Sequence, residues 1–417
     1  MVKFRLFSVL SGVLLAASLF PVLLQAQPRK KKVVFIIADG IPADLLEKAH
    51  PGFIDLSAKA GGYKRAYVGG EKGGYTQTPT ISAVGYNSLL TGTWVNKHNV
   101  WDNEIREPDY NYPTLFRLLK HADHMKTTAI FSTWLDNRTK LVGDSIPQTG
   151  NIAVDYHADG YELDTVRFPH DKESAYIHTI DELVTDSAEK CIRENAPDLT
   201  WLYLEYTDDM GHRYGDGAKM NDAIAYLDKQ VGKIWSAIQY RQKKFPEDWM
   251  ILVTTDHGRD SVTGKNHGGQ STRERTTWMV TNAKGLNSYY DKYQPAIVDF
   301  MPTMARWLDL TIPRDNLIEM DGTPLIGKVS LAEPVIQLAD NKLNIQWKAL
   351  DKDGWVKIWL ATTNNYKTGG KDNYKLLLQV PVAAQSAILG IGSSPSSFYK
   401  IVLEAPYNVL NRWIVVK

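Results

Sequence analysis

Acidic and imidazole side chains recur where predicted strands of this sequence end. The clearest pair, Asp256-His257, directly follows the apolar run Trp249 to Val253, which is typical of a buried strand. The pair would stand at the carboxyl end of that strand, where open α/β sheets place their ligand sites. A carboxylate oxygen beside an imidazole nitrogen suits Zn²⁺. Taken alone, the pair is better explained by a solvated turn. Whether it belongs to a metal site depends on the other candidate ligands in the chain.

Two further strand ends carry the same kinds of side chain. Asp39 ends an apolar run near the start of the chain, Asp208 ends a later one with His212 four residues on, and His267 lies in a Gly-rich loop. The carboxyl ends of parallel strands share one edge of a sheet, so these residues can converge. Three carboxylates and three imidazoles suffice for two divalent metals, which clamp both oxygens of a phosphoryl transfer when about 4 Å apart. The candidate ligands are Asp39, Asp208, His212, Asp256, His257 and His267.

An alternation of strands and helices would position these residues. It predicts a mostly parallel α/β sheet with helices on both faces. The segment 63–81, rich in Gly, Thr and Tyr, is expected to be a loop. The predicted strands are 33–38, 127–132, 199–206, 249–255 and 276–281, and the predicted helices are 44–60, 82–90, 113–122, 173–195, 220–238 and 296–310.

The residue pattern of the sequence changes near residue 327. From there on, the helical periodicity is replaced by short strand-like runs separated by turn residues. The pattern predicts a C-terminal β-sandwich of immunoglobulin or fibronectin III type. A glycan or a partner protein is a candidate ligand of this domain; a packing appendage without a ligand is the simpler alternative. The runs are 335–338, 343–347, 355–360, 374–380, 398–403 and 412–416.

The N-terminus predicts export. Lys3 and Arg5 precede the apolar run 6–24, which a small residue, Ala26, and a basic segment follow. This order is typical of a cleaved secretory signal peptide. A membrane anchor is the alternative, and Pro21 within the run argues against it. We therefore expect a signal peptide at 1–26, an α/β domain at 33–326 and the sandwich at 329–417, in a secreted or periplasmic protein.

Composition excludes some classes of partner. The 48 basic and 47 acidic side chains leave a formal net charge of +1, so nothing indicates a nucleic-acid polymer as ligand. Cys191 is the one cysteine, which rules out an internal disulfide. Within a helical pattern, it is expected to be a small side chain without a catalytic role.

The order of the candidate residues resembles the alkaline phosphatase superfamily, and within it the nucleotide pyrophosphatase/phosphodiesterase branch, over about residues 33–326. The resemblance implies an alkaline-phosphatase-like fold and two zinc ions. It assigns Asp39, Ser82, Asp256 and His257 to one ion, and Asp208, His212 and His267 to the other. The residues that carry the resemblance are Asp39, Ser82, Asn103, Asp208-x-x-x-His212, Asp256-His257 and His267.

The nucleophile must be chosen among three hydroxyls, those of Thr78, Thr80 and Ser82. In the family, the nucleophile lies ten residues before the Gly of a Thr-Gly pair, here Thr91-Gly92, and an Asn follows the nucleophile by 21 residues. Both spacings select Ser82, and the second selects Asn103 as its catalytic companion. Thr80 is the alternative. A role of Ser82 as a helix N-cap is compatible with catalysis, because a helix N-terminus also favours phosphate.

Some positions depart from the phosphodiesterase branch. Ser82 stands where Thr is usual, and Tyr86 stands where His is usual. A related monoesterase branch has a Lys-x-Arg, and the corresponding residues here are Asp136 and Arg138. Arg138 could contact a phosphate oxygen bidentately, or it could simply pair with Asp136.

These features predict an exported two-zinc phosphodiesterase or nucleotide pyrophosphatase that forms a Ser phospho-enzyme on a small phosphate diester or nucleotide. A phosphomonoesterase and a phosphoethanolamine-type transferase on the same site are the alternatives. Trp134 and Tyr75 are candidates for an apolar wall around the second substituent of a diester. A sulfatase is disfavoured because no cysteine lies near position 82, and a binding protein is disfavoured because all seven metal-shell positions are filled.

Overall fold

A computed structural model of the chain describes Met1 and residues 28–391 and 396–416. Residues 2–26 of the predicted signal peptide therefore lie outside the described residues. Within the described ranges, every helix is too short or too polar to cross a bilayer.

A seven-stranded sheet forms the larger part of the molecule. Its strand order is β2-β7-β6-β1-β5-β3-β4. β6, β1, β5, β3 and β4 are parallel, whereas β7 runs antiparallel to both β6 and β2. The predicted mostly parallel sheet is thus confirmed. The strands are β1 (Lys30–Ala38), β2 (Gly62–Tyr67), β3 (Thr128–Ser132), β4 (Tyr156–Ala158), β5 (Leu199–Leu204), β6 (Glu247–Thr254) and β7 (Thr276–Thr281).

Helices cover both faces of this sheet. The long α6 and α8 lie on one face, and α3, α5 and α11 lie on the other. The helices are α1 (Ala43–Ala49), α2 (Gly52–Ala60), α3 (Ser82–Thr91), α4 (Val95–His98), α5 (Leu115–Ala122), α6 (Ala175–Glu194), α7 (Tyr206–Tyr214), α8 (Ala218–Lys244), α9 (Thr272–Arg275), α10 (Ser288–Lys292), α11 (Phe300–Trp307) and α12 (Arg314–Leu317).

The central strand β1 is buried on both faces, as the continuous apolar run requires. Phe35 faces the core formed with α3, α5 and α11, whereas Ile36 faces the core formed with α6 and α8. Both side chains are inaccessible to solvent. The end of β1, where Asp39 follows, is therefore held in a rigid and dry part of the molecule.

Two predicted elements were wrong in detail. The predicted helix 44–60 is broken between α1 and α2, because Pro51 lacks a backbone N–H and His50 adopts a left-handed φ of 46°. The predicted loop 63–81 begins with β2, an edge strand that exists through its antiparallel pairing with β7. That pairing is a tertiary contact, which the local composition does not reveal.

The C-terminal region forms two antiparallel sheets, β11-β10-β13-β14 and β12-β9-β8. Side chains of both sheets, among them Trp347 and Ile358, share one core, so the predicted sandwich is confirmed. β12 was missed because only Ala387 of its five residues is buried. The strands are β8 (Leu331–Ala339), β9 (Lys342–Ala349), β10 (Trp355–Ala361), β11 (Lys375–Pro381), β12 (Ser386–Gly390), β13 (Phe398–Glu404) and β14 (Val409–Val415).

Two buried lysines, each held by an ion pair, bind across the interface between the sandwich and the larger domain. The Nζ of Lys97, in α4, donates to Asp321 Oδ1 at 2.6 Å and to Asn411 Oδ1 of β14 at 2.8 Å. The Nζ of Lys400, in β13, donates to Glu319 Oε1 at 2.7 Å and to an Asp372 oxygen at 2.8 Å. These charged side chains are all 3% exposed or less.

Truncating Lys97 should test the strength of this connection. Lys97→Ala leaves the Asp321 carboxylate buried without its cation, so we expect the free energy of unfolding to fall by about 3–5 kcal/mol. Denaturant titration followed by tryptophan fluorescence measures the change. Lys357→Ala, on the exposed face of β10, is the matched control and should change the free energy by less than about 0.5 kcal/mol. Equal values for the two variants would contradict a stabilising role of the pair.

Candidate active site

Three neighbouring parallel strands bring the predicted ligands together. Asp39 directly follows β1, Asp208 lies in the first turn of α7 after β5, and Asp256 and His257 follow β6. β1 pairs with both β5 and β6, so the three strand ends are adjacent. Asp39, Asp256 and His257 are at most 1% exposed.

The first donor group surrounds the Nε2 atom of His257. Asp39 Oδ1 lies 3.4 Å from it, Asp256 Oδ2 lies 3.3 Å from it, and Ser82 Oγ lies 3.4 Å from it. Both carboxylate oxygens are buried and have no hydrogen-bond partner in the described part of the chain. The second oxygen of each carboxylate is satisfied: Tyr203 donates its hydroxyl to Asp39 at 2.7 Å, and the Gly40 N–H donates to Asp256 at 3.2 Å.

The second donor group adjoins the first. His212 Nε2 lies 3.2 Å from Asp208 Oδ2 and 3.1 Å from His267 Nε2, and His267 Nε2 lies 4.0 Å from Asp208 Oδ1. The rings of His257 and His267 stack with centroids 3.7 Å apart. Donor atoms of Asp208, His257 and His267 also lie within 4.8 Å of one another, so His257 stands between the two groups.

These distances fit zinc. Tetrahedral zinc with bonds of about 2.0–2.1 Å holds its ligand atoms about 3.3 Å apart, close to the separations within both groups. Each buried oxygen without a partner, on Asp39 and on Asp256, needs a cation or a donor to offset its desolvation. The donors are the nitrogen and oxygen atoms that zinc accepts. The residues present can therefore hold a metal ion such as zinc.

The electrostatics of the site favour a bound cation. Burial, with the nearby charge of Asp208, raises the pKa of Asp39 to about 7, and burial raises the pKa of Asp256 well above its ordinary value. Burial also lowers the pKa of His257 well below its ordinary value, so its imidazole is neutral. His257 Nδ1 lies 3.0 Å from the Gly258 carbonyl, which assigns the proton to Nδ1 and leaves Nε2 as a ligand atom.

Arg259, a buried arginine that the sequence motifs did not indicate, holds the segments that carry Asp39 and Asp208. Arg259 is inaccessible to solvent and donates to the carbonyls of Gly40 at 2.9 Å and Lys265 at 3.0 Å. It donates as well to the carbonyl of Asp208 at 2.7 Å and to its carboxylate. A Cβ at Gly211 would lie 2.2 Å from the guanidinium, so α7 needs glycine there. The signal in the sequence was a charged residue directly after Asp-His-Gly.

Two tyrosines hold Asp39 in place. Tyr86 and Tyr203 both donate their hydroxyls to Asp39 Oδ2. Tyr86 is the residue that stands where the resembling branch usually has His, and it lies fully buried in α3. Its contact orients the other oxygen of Asp39 toward His257, which makes it a positioning residue.

Among the three candidate hydroxyls, the geometry favours Ser82. It is the first residue of α3, and its Oγ reaches the first donor group. The Thr80 hydroxyl donates to the Gly269 carbonyl and accepts from the Gly268 N–H, both at 2.9 Å. The Thr78 hydroxyl donates to the Thr76 carbonyl at 2.8 Å. The two threonine hydroxyls are thus occupied by backbone groups, that of Thr78 within its own loop and that of Thr80 in the Gly-rich loop after β6.

Asn103 and Thr80 orient groups at the edge of the site. Asn103 Oδ1 accepts the N–H of Ala83 at 2.9 Å, and its Nδ2 has no partner in the portion of the chain described. His267 Nδ1 lies 2.9 Å from the Thr80 carbonyl, so its proton belongs there and Nε2 is available as a ligand atom.

Arg138 is not brought to the donor groups. Its guanidinium donates to Asp159 at 2.6 and 2.9 Å and to Asp144 at 2.5 Å, so the fork that would hold a phosphate oxygen is occupied. Asp136, the alternative partner, pairs instead with Lys140 at 2.8 Å. The acidic side chains of Asp144 and Asp159, which follow Arg138 in sequence, bind its guanidinium in place of a phosphate oxygen.

The two candidates for an apolar wall differ in position. Trp134 packs edge-on against Tyr86, with ring centroids 6.4 Å apart, and so lies next to a residue that holds Asp39. Tyr75 stacks on Trp413 of β14 at 5.8 Å and accepts its backbone N–H at 3.0 Å. Tyr75 therefore serves the domain interface, and the expectation for it was wrong.

The buried Asp181 of α6 fixes the start of α7, which carries Asp208. Its Oδ1 accepts the N–H of Glu205 at 3.1 Å and its Oδ2 accepts the N–H of Tyr206 at 3.0 Å. Burial is the largest cause that raises the pKa of Asp181 to about 7. The carboxylate thus caps α7 although its own charge is desolvated.

Comparison with known proteins gives a family match. The family model described as type I phosphodiesterase / nucleotide pyrophosphatase matches residues 33–307. The ectonucleotide pyrophosphatase/phosphodiesterase C27A7.1 of Caenorhabditis elegans is 22% identical over 190 residues, 45% of this chain and 22% of that protein. Alkaline phosphatase PhoD of Zymomonas mobilis is 36% identical over 69 residues, 16% of this chain and 11% of that protein. The matched segments thus cover less than a quarter of either relative.

Solved structures resemble this chain in fold. Ps i-CgsB in complex with k-i-k-neocarrahexaose has a TM-score of 0.51 at 14% identity, over 78% of this chain and 83% of that one. A putative sulfatase from Bacteroides thetaiotaomicron has a TM-score of 0.51 at 12% identity, over 83% and 85%. At these identities the likeness concerns the fold alone, and it agrees with the expected alkaline-phosphatase-like architecture.

Metal analysis should separate the two donor groups. We expect two zinc ions per chain in protein purified without chelator, and about one with either Asp39→Asn or His257→Ala, since both residues belong to the first donor group and the second keeps Asp208, His212 and His267. Elemental analysis by mass spectrometry gives the counts. His170→Ala, on the surface, is the control and should keep both ions. Less than one metal in the wild type after addition of zinc would contradict the two-metal centre.

The titration of Asp181 should appear in the pH dependence of stability. Its pKa is about 7 in the folded state and about 3.9 in the unfolded state, so the folded state binds more protons between these values. The free energy of unfolding therefore falls as pH rises from about 4 to 7, and the loss persists above 7. Asp181→Asn removes this contribution, so the wild-type value minus the variant value should decrease over that range.

Denaturant titrations across this pH range measure that difference. Ser261→Ala, at an exposed position without a titratable side chain, is the control and should give a difference that does not vary with pH. A difference for Asp181→Asn that rises between pH 4 and 7 would show that the folded state favours the ionised carboxylate.

Proposed function

Since the chain belongs to the type I phosphodiesterase/nucleotide pyrophosphatase family, we propose that it hydrolyses small phosphate diesters, including nucleotides, with two zinc ions and Ser82 as nucleophile. The observation that carries the proposal is the position of Ser82 Oγ, 3.4 Å from His257 Nε2. This places the hydroxyl beside the imidazole that both donor groups share.

Asp39, Ser82, Asp256 and His257 would hold one ion, and Asp208, His212 and His267 would hold the other. Two zinc ions so held would lower the pKa of the attacking hydroxyl and offset negative charge on the phosphoryl group.

The covalent route then runs through the serine. The Ser82 hydroxyl gives its proton to solvent and its Oγ forms a bond to phosphorus, while the bond from phosphorus to the leaving oxygen breaks and that oxygen takes up a proton. A water molecule then attacks the phosphorus, releases the phosphate monoester and restores the hydroxyl. Both steps displace one oxygen at phosphorus.

The chain supplies neutral donors for the substrate. Ser82 begins α3, whose N-terminal N–H groups and dipole favour a phosphate oxygen. Asn103 accepts the Ala83 N–H with Oδ1, which leaves the two hydrogens of Nδ2 to donate. These groups suit the single charge of a diester.

The two arginines considered for the site, Arg138 and Arg259, are both occupied by other groups of the described chain, which favours diesters over monoesters. A monoester carries about one more negative charge than a diester near pH 7, since its second pKa is about 6. Arg138 is the cation that the monoesterase branch would use, and Asp144 and Asp159 occupy it. Arg259 is likewise bound within the protein. We therefore propose a diester as the better substrate.

We also propose that the chain acts outside the cytoplasm. This proposal rests on the sequence of residues 1–26, a basic start followed by an apolar run and a small residue. Cell fractionation of the expressed chain, with N-terminal sequencing of the mature form, would test it. A cytoplasmic protein that retains residues 1–26 would contradict it.

A hydrolysis panel on zinc-loaded protein should identify the substrate class and the nucleophile. We expect a bis-aryl phosphate and a dinucleotide to be cleaved faster than an aryl monophosphate. Ser82→Ala should lower kcat at least about 10³-fold, because the covalent route is lost. Thr80→Ala should lower it much less, since that hydroxyl holds a loop.

The control is Ser261→Ala, an exposed serine that should leave kcat unchanged. Full activity in Ser82→Ala together with loss in Thr80→Ala would move the nucleophile to Thr80. A wild type that prefers the monophosphate would make the protein a phosphomonoesterase.

A further inference from the structure

A cavity of about 690 Å³ lies between the larger domain and the sandwich. The aromatic side chains of Tyr67, Trp94 and Tyr293 line it from the larger domain, and Glu333 of β8 and Arg412 of β14 line it from the sandwich. None of the candidate zinc ligands is among the residues that line it. We call it the interdomain cavity.

Some charged groups of the interdomain cavity are already satisfied. Arg275 donates to the carbonyls of Val68 and Gly70. The Asp299 carboxylate accepts the N–H groups of Ala296 at 2.8 Å and Thr323 at 2.6 Å. These groups build the wall and have little capacity left for a ligand.

Two charged groups from the sandwich have spare capacity. The exposed Glu333 carboxylate has neither a hydrogen bond nor an ion pair to any described residue. Within the same residues, Arg412 donates only to the carbonyl of its neighbour Asn411, at 2.8 Å. They do not form an ion pair with each other within 4.0 Å. One bidentate acceptor and one bidentate donor thus line the same space.

The backbone at Glu333 is unusual. Its φ of 49° lies in the left-handed region, and the register of β8 against β9 shifts between Ala332 and Val335. A non-Gly residue in this region is strained, and a bulge redirects the side chain of its strand. Glycine would relieve the strain, but it would remove the carboxylate from the cavity.

The free charges balance. Glu71 and Lys292, which also line the interdomain cavity, are exposed and lack partners among the residues described. With Glu333 and Arg412 they make two anions and two cations. The remaining lining charges are the carboxylates of Asp299 and Asp321 and the guanidinium of Arg275, and Lys97, which pairs with Asp321 at 2.6 Å, supplies the second matching cation. A cavity whose charges balance in this way does not favour a phosphate or a cationic ligand through its net charge. Its ligand should be neutral and rich in hydrogen-bonding groups.

The aromatic rings that line the interdomain cavity indicate which kind of neutral ligand it would bind. Tyr67 and Trp94 stack with centroids 6.0 Å apart, and Tyr293 packs against Tyr289 at 5.6 Å. Aromatic faces bury the C–H faces of pyranose rings, while a carboxylate and a guanidinium each bind two neighbouring hydroxyls. The volume lies within the usual range of small-molecule sites, too small and concave for a protein surface.

We propose that the interdomain cavity binds a short neutral oligosaccharide, held by Glu333 and Arg412. Of the two ligands considered for the sandwich, a glycan and a protein, the cavity selects the glycan. The site is separate from the zinc centre and does not depend on the reaction proposed there.

Saturation-transfer NMR and calorimetry with full-length protein test the proposal. The probes are the neutral trisaccharides maltotriose, cellotriose, mannotriose, galactotriose and chitotriose. We expect at least one of them to bind with a Kd on the order of 1 mM or tighter. Glu333→Gln and Arg412→Ala should each weaken binding about tenfold or more. Lys357→Ala, on the exposed face of β10, is the control and should not.

A further variant separates binding from folding. Glu333→Gly relieves the left-handed strain, so its melting temperature should not fall, yet its sugar affinity should drop as in Glu333→Gln. Binding by none of the five sugars, or binding that survives the cavity substitutions, would overturn the proposal. So would AMP binding that is lost with Arg412→Ala, which would mark an anion site. Sugar binding should persist in Ser82→Ala; its loss there would place the sugar at the zinc centre.

Discussion

Two buried carboxylate oxygens facing one neutral imidazole are the constraint on which this structure depends. Asp39 Oδ1 and Asp256 Oδ2 lie 3.4 and 3.3 Å from His257 Nε2 and have no other partner in the described residues. Burying a carboxylate oxygen without a donor or a cation is strongly unfavourable. A folded chain can tolerate this arrangement through protonation, which burial favours by raising the pKa of both aspartates, or through a cation. The second solution keeps the charges that the proposed phosphoryl transfer needs.

The surrounding protein enforces the arrangement by satisfying the second carboxylate oxygen of both Asp39 and Asp256 and by binding Asp208. Tyr86 and Tyr203 occupy the second oxygen of Asp39, and the Gly40 N–H occupies that of Asp256. Arg259 connects the carbonyl after β1 with Asp208 in α7. Because these supports come from α3, β5 and the loops after β1 and β6, no single element could move a ligand alone. The geometry is therefore a property of the parallel sheet, whose adjacent strand ends bring all of them together.

The sequence predicted the parts of this site that follow from local pattern. Asp39, Asp256 and His257 follow continuous apolar runs, so their place at one sheet edge could be inferred from the sequence pattern. The predicted helix 220–238 likewise lies within α8. The choice of Ser82 needed the spacing of a family. The sequence did not predict the positions of Arg259, Arg138 and Tyr75, because the position of each depends on a contact with a residue that is not its neighbour in the sequence. These contacts are with the carbonyl of Gly40, the carboxylate of Asp159 and the ring of Trp413, respectively. The strand β2 was missed for the same reason.

The sandwich is joined to the larger domain by charge as well as by apolar packing. Apolar residues of similar volume could have held the interface as firmly as the ion pair of Lys400 with Glu319. Buried ions, however, tolerate only arrangements in which every charge meets its partner, so they fix the angle between the domains. That angle places Trp413 on Tyr75, in the segment that leads to Ser82. A fixed orientation also gives the interdomain cavity a constant shape, without which the unsatisfied Glu333 and Arg412 could not act on a common ligand.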